Sequence, residues 1–84
     1  VLFKNGSEWI VAEVKSSISD VHDIYRGIYQ CIKYKALFEA YQKEIGLSPN
    51  SRVVLVLDGK FPQELIILKN ILQIEVIDEV EMAN

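Results

Sequence analysis

The chain has 84 residues, half of them apolar and a quarter charged, with a formal net charge of −3. That length holds one domain with one modest core, and the balance excludes a disordered tail. The acidic sum excludes a surface coated for nucleic acid but not a local basic groove, because binding depends on where the charges sit. The lone cysteine, Cys31, can form no internal disulfide. With no signal-peptide pattern in view, a reducing intracellular setting, the cytoplasm, is expected. No apolar run approaches the roughly 20 residues that cross a bilayer, so no membrane partner is expected.

In chain order, "VLF" opens without a methionine and already reads as strand, so the sequence is expected to be a piece of a longer protein, one partial domain over residues 1–84. "VLFKNGSEWIVAEVKS" reads as a β-hairpin: a strand over residues 1–4, a turn at Asn5-Gly6, where both residues tolerate positive φ, and a return strand over 9–16. Ser19 or Asp20 can cap the helix that follows. The spacing predicts that helix over residues 20–45, ending at Gly46. Ile24, Ile28, Cys31, Tyr34, Phe38, Tyr41 and Ile45 recur at three- and four-residue steps on one face. Val21, Tyr25, Ile32 and Ala36 add a stripe beside it, which predicts a helix covered on more than one side. Gly27 is expected where another backbone passes closely.

After the loop "LSPNS", the aliphatic run over residues 52–58 reads as a strand buried on both faces of a parallel sheet. Pro62 suits a first helical turn, a second helix is expected over 63–72, and a last strand over 74–80. The order is β-hairpin, helix, strand, helix, strand. Each helix can serve as a crossover between parallel strands, which gives an α/β fold with a mixed sheet and flanking helices.

Alternation puts Trp9, Val11, Glu13 and Lys15 on one face of the return strand. A carboxylate and an ammonium at the end of an apolar strand are either an ion pair of little energetic weight or half of an active site. Gln30 reads equally as a helix-surface amide, Tyr34 as a core or rim aromatic, and Ser16 and Ser17 as a turn into the helix. Arg26 and Lys33 form a solvated helix face or meet a phosphate. Lone His22 has no second ligand at zinc spacing, and Asp58 suits a turn.

A hairpin whose second strand ends in Glu13-Val14-Lys15, followed by a long helix and an apolar strand, resembles the PD-(D/E)XK nuclease superfamily, the restriction-endonuclease-like fold. "QCIKY", Gln30 to Tyr34 in that helix, resembles the Gln-hydrophobic-x-x-Tyr motif of RecB-like exonucleases. The resemblance implies a nuclease, a hydrolase of DNA phosphodiester bonds that uses Mg²⁺ or Mn²⁺. It implies Glu13 and the Val14 carbonyl as metal ligands, and Lys15 as the group that orients or deprotonates water and stabilises the phosphate. Gln30 would stand by the metal or phosphate, with Tyr34, Arg26 and Ser16 on the nucleic-acid backbone. One departure is plain: the family's first acidic residue has no counterpart in "VLFK", and it is expected upstream of Val1. The competing expectations are a catalytically degenerate module of this fold that binds nucleic acid or protein, and a homodimer formed through the first strand's edge or the helix.

Overall fold

The computed structural model describes residues 2–16 and 20–80. Val1, Ser17 and Ser19, which enter the expectations above, lie outside them. Strands β1 (Leu2–Asn5) and β2 (Glu8–Lys15) form the hairpin. Its turn sits one residue later than expected: Asn5 pairs with Glu8, which leaves Gly6-Ser7 as the loop. Gly6 takes φ 64° there, a conformation that costs glycine nothing.

Helix α1 (Val21–Glu44) begins at Asp20. The Asp20 carboxylate accepts from the Asp23 N–H at 2.9 Å, and the Asp23 carboxylate accepts from the Asp20 N–H at 3.4 Å. This reciprocal box satisfies two of the donors that a helix start leaves orphaned. At the other end Gly46 takes φ 84°, its N–H donates to Lys43, and the Leu47 N–H donates to Gln42. That pair of bonds is a Schellman closure.

Strand β3 (Ser51–Leu57) follows, then a 3₁₀ turn (Gln63–Leu65) that runs into α2 (Ile66–Ile71), then β4 (Glu75–Ile77). The second helix is therefore shorter than residues 63–72, because the Pro62 carbonyl takes the Leu65 N–H and tightens the first turn. The last strand is shorter than 74–80 for a related reason. Glu79 takes φ 55°, and the Glu79 and Val80 N–H groups donate to Gly59 and Leu57 rather than extending the ladder. Asp78 accepts from the Phe61 N–H at 2.9 Å and so fastens this turn.

The sheet has four strands in the order β1-β2-β3-β4. β1 is antiparallel to β2, and β2, β3 and β4 are parallel. The molecule is thus a small α/β domain with a mixed four-stranded sheet and two helices. Both crossovers have the same hand, which places α1 and α2 on one face. The core lies between: Val11, Val53, Leu55 and Leu57 from the sheet meet Ile24, Ile28 and Cys31 from α1, with Phe61 and Leu65 from the second connection.

Two expectations about cover change. α1 buries one side only, at Ile24, Gly27, Ile28, Cys31 and Gln42, while Val21, Tyr25, Tyr29 and Ile32 stay exposed. Among the described residues no helix lies on the sheet's other face, where Phe3, Val14 and Ile77 are about half exposed. β3 is therefore buried by its flanking strands and by one helical layer, rather than by helices on both sides. The 15 Å shortest dimension agrees with two layers.

Gln42 carries a role that the sequence did not signal. It is fully buried, its amide nitrogen donates to the Asn50 carbonyl at 3.1 Å, and its amide oxygen accepts from the Asn50 N–H at 3.0 Å. The same carbonyl takes the Trp9 N–H at 3.0 Å. One side chain thus joins the end of α1, the entry to β3 and the start of β2.

Candidate functional site

The α1-facing side of β2 divides into two parts. At its start Trp9 is buried against Phe38 and Tyr41, with ring centroids at 6.3 and 5.8 Å, and Lys4 lies over the indole at 5.1 Å. At its end Glu13 and Lys15 replace apolar side chains. The Lys15 ammonium stands 3.8 Å from a Glu13 carboxylate oxygen, and each side chain is only about a fifth exposed (22% and 21%).

Gly27 explains how a lysine fits under a helix. A Cβ at that position would lie 3.2 Å from Leu55 Cδ1 and 3.3 Å from Lys15 Cε. The approach expected at this glycine is real, but the neighbours are side chains, not a backbone. The Lys15 stem runs over the bare helix surface and keeps its charge at the rim beside Glu13.

Glu13 and Tyr34 line one cleft of about 290 Å³ together with Leu2, Val11, Ala12 and Phe38. Cys31 stands near enough to feel Glu13. Burial first, and the Glu13 charge second, push its thiol up to about 11, which makes it an inert part of the core. The β1–β2 ladder ends with Leu2 opposite Val11, so Glu13 and Lys15 lie beyond the described part of β1.

Gln30 and Arg26 face a different opening. With Tyr25, Tyr29 and Lys33 they line a groove of about 420 Å³ on the outer flank of α1. Arg26 is 74% exposed and stands 3.8 Å from Asp23. Gln30 is half-buried, and its amide oxygen is enclosed with no hydrogen-bond partner among the described residues. Ser16 is exposed just past β2, and the Val14 side chain points to the opposite face. The structure therefore sets Glu13 beside Lys15 and in one cleft with Tyr34, and Arg26, Gln30 and Lys33 on the outer flank of α1.

Asp58 enters as a residue that sequence reasoning had assigned to a turn. Lys15 pairs with Leu57, so Asp58 lies at the same end of the parallel strands, and one of its carboxylate oxygens is buried without a partner among the described residues. Carboxyl ends of parallel strands are where α/β sheets bind ligands. Only the unpaired oxygen marks it, and no sequence pattern carries that signal.

Among the described residues no three His, Cys, Asp or Glu side chains gather into a metal-holding group, and no described helix is long and apolar enough to cross a membrane. Comparison with protein-family models, curated proteins and solved structures finds no match to this chain.

Proposed function

We propose that this chain is a metal-dependent nuclease domain of the PD-(D/E)XK kind, with a restriction-endonuclease-like core, that hydrolyses phosphodiester bonds in DNA. The observation that carries the reading is the seating of Lys15. Its stem lies against Gly27 of α1, and its ammonium is held beside Glu13 at the end of an otherwise apolar strand face. A solvated ion pair needs neither a helical glycine nor shelter from water. The order of elements and the place of Tyr34 in one cleft with Glu13 support the same reading, whereas Gln30 faces the outer groove and does not.

The donor set fits Mg²⁺ or Mn²⁺ in a minimal way: one carboxylate, Glu13, with the Val14 carbonyl available and the remaining positions left to water and substrate phosphate. Such an ion supplies Lewis-acid polarisation of the phosphate and a more acidic bound water. The chain's own residues do the rest. Lys15 places a fixed positive charge where negative charge grows on the phosphate oxygens, in a site sheltered enough for that charge to count. Its nearness also lets it orient the attacking water as the P–O bond breaks. Tyr34 forms the wall of the same cleft.

The test is cleavage of labelled duplex and single-stranded DNA with Mg²⁺ or Mn²⁺. Wild type should cut, Glu13→Gln should lose metal dependence along with activity, and Lys15→Ala should fall by at least about a hundredfold. A second reading, a degenerate module of the same fold that binds nucleic acid or protein, is favoured by one fact. Glu13 is the only carboxylate on its face of β2. A folded wild type that binds DNA and cuts neither substrate would select it.

A further inference from the structure

The outer groove of α1 carries chemistry that the cleft does not use. Tyr25 and Tyr29 lie one helical turn apart with ring centroids at 4.9 Å, and each remains more than two-fifths exposed (43% and 44%). Donating to the neighbouring Tyr25 hydroxyl raises the Tyr29 hydroxyl above its ordinary range. Arg26 and Lys33 flank them, and Gln30 closes the floor with its unpartnered amide oxygen. Exposed rings on a folded helix, with cations on either side and a polar amide between, are an unusual use of surface.

We infer that this groove binds single-stranded nucleic acid, the tyrosines stacking on bases while Arg26 and Lys33 hold the adjacent phosphates. Every base has a π-face, so stacking tolerates any sequence, and guanidinium and ammonium groups track the backbone. The cations are separated by about 10 Å of helix length, enough for more than one nucleotide. The Gln30 amide nitrogen offers a donor to a base edge. Among the described residues the acid paired here is Asp23, which stands 3.8 Å from Arg26 and leaves that side chain largely solvated; Lys33 extends the positive side. Arg26 and Lys33 are two of the chain's nine lysines and arginines, set here beside one acid, Asp23, in a chain whose net charge is −3. The inference rests on the nuclease reading in one respect: Gln30 stands between the groove and the Tyr34 wall, so a strand lying on the tyrosines would lead toward Glu13 and Lys15.

The experiment is fluorescence anisotropy of labelled oligothymidylate of about 12 nucleotides and of a duplex of equal length, with a chelator present so that nothing is cut. The expected result is preference for the single strand, lost about ten- to a hundredfold in the Tyr25→Leu/Tyr29→Leu double variant. Both side chains are exposed, so the variant's thermal melt should match wild type. Should it fail to fold, Arg26→Gln/Lys33→Gln provides a second route. It should lower the slope of log affinity against log salt by about 1.4, the share of two phosphate contacts to a single strand. No binding by wild type, equal affinity for duplex, or an unchanged affinity in the tyrosine variant each overturns the groove. So does self-association of wild type that the tyrosine variant abolishes, since the rings would then serve a second copy. A protein that binds single strands through the tyrosines yet never cuts upholds the groove and sinks only the hydrolytic reading. One that cuts while ignoring the tyrosines does the reverse.

Discussion

Gly27 is where the residue scale decides the account. Alanine there gains about 1 kcal/mol of helix propensity, but its methyl would press on Leu55 and on the Lys15 stem at 3.2 and 3.3 Å. Leu55 is fully enclosed and must give by a few tenths of an ångström, which offsets the gain in propensity, whereas the lysine chain is flexible and moves further. Gly27→Ala should therefore leave stability within about 1 kcal/mol of wild type in urea denaturation, while cleavage falls at least tenfold as the ammonium swings away from Glu13. Full cleavage in a stable Gly27→Ala would show that the lysine's path across the helix is incidental. The E-x-K pattern was legible because strand alternation alone puts Glu13 and Lys15 on one face. The meaning of Gly27 was not, since a helical glycine announces a close approach without saying of what.

At the scale of elements, two side chains tie segments together. Gln42 is fully buried and makes both of its bonds to Asn50, so Gln42→Ala strands the Asn50 N–H and should cost about 1–3 kcal/mol, read as a lowered urea midpoint at constant slope. A loss under about 0.5 kcal/mol would mean that water replaces it. In the sequence it was one polar residue near a helix end between Tyr41 and Lys43, indistinguishable from a solvated amide. Arg52 and Glu75 form a two-bond pair across β3 and β4 on the uncovered face, the Arg52 Nε to Glu75 contact measuring 2.6 Å. The hydrogen bonds from Arg52 hold the Glu75 carboxyl below its ordinary range. A depressed carboxylate contributes stability above its unfolded value and loses it as pH falls through the lower, folded one. Wild type should accordingly lose stability relative to Glu75→Gln as pH drops below the ordinary carboxylate range, by a small amount because both groups are solvated. Parallel curves of urea midpoint against pH would contradict this. Strand β3 and the ends of α1 were readable from local signals: the aliphatic run, Asp20 as cap and Gly46 as stop. The shortness of β4 was not, because positive φ at Glu79 comes from tertiary bonds to β3 that no local pattern encodes.

Across the whole molecule, the order of elements and the mixed sheet follow from hydrophobic periodicity, and the structure bears them out. The distribution of cover does not follow from it. The stripe holding Tyr25 and Ile32 predicted a second packed side for α1, yet it faces outward. Likewise the apolar side chains of Phe3, Val14 and Ile77 lie on a sheet face that no described helix covers. Periodicity reports that a stripe is apolar, and only the three-dimensional arrangement shows whether anything lies on it. The proposed nuclease gathers these scales: a sheet that carries an acid and a lysine to the end of one strand, a helix with a bare patch to admit the lysine, and an aromatic flank for the substrate strand. Lys15→Met tests its centre most directly, because methionine keeps an unbranched stem against Gly27 and removes only the charge. Metal-dependent cleavage of labelled DNA should drop by at least about a hundredfold in a protein whose urea midpoint matches wild type. Cleavage undiminished in that folded variant would contradict the account, since the ammonium beside Glu13 would then have no part in the chemistry.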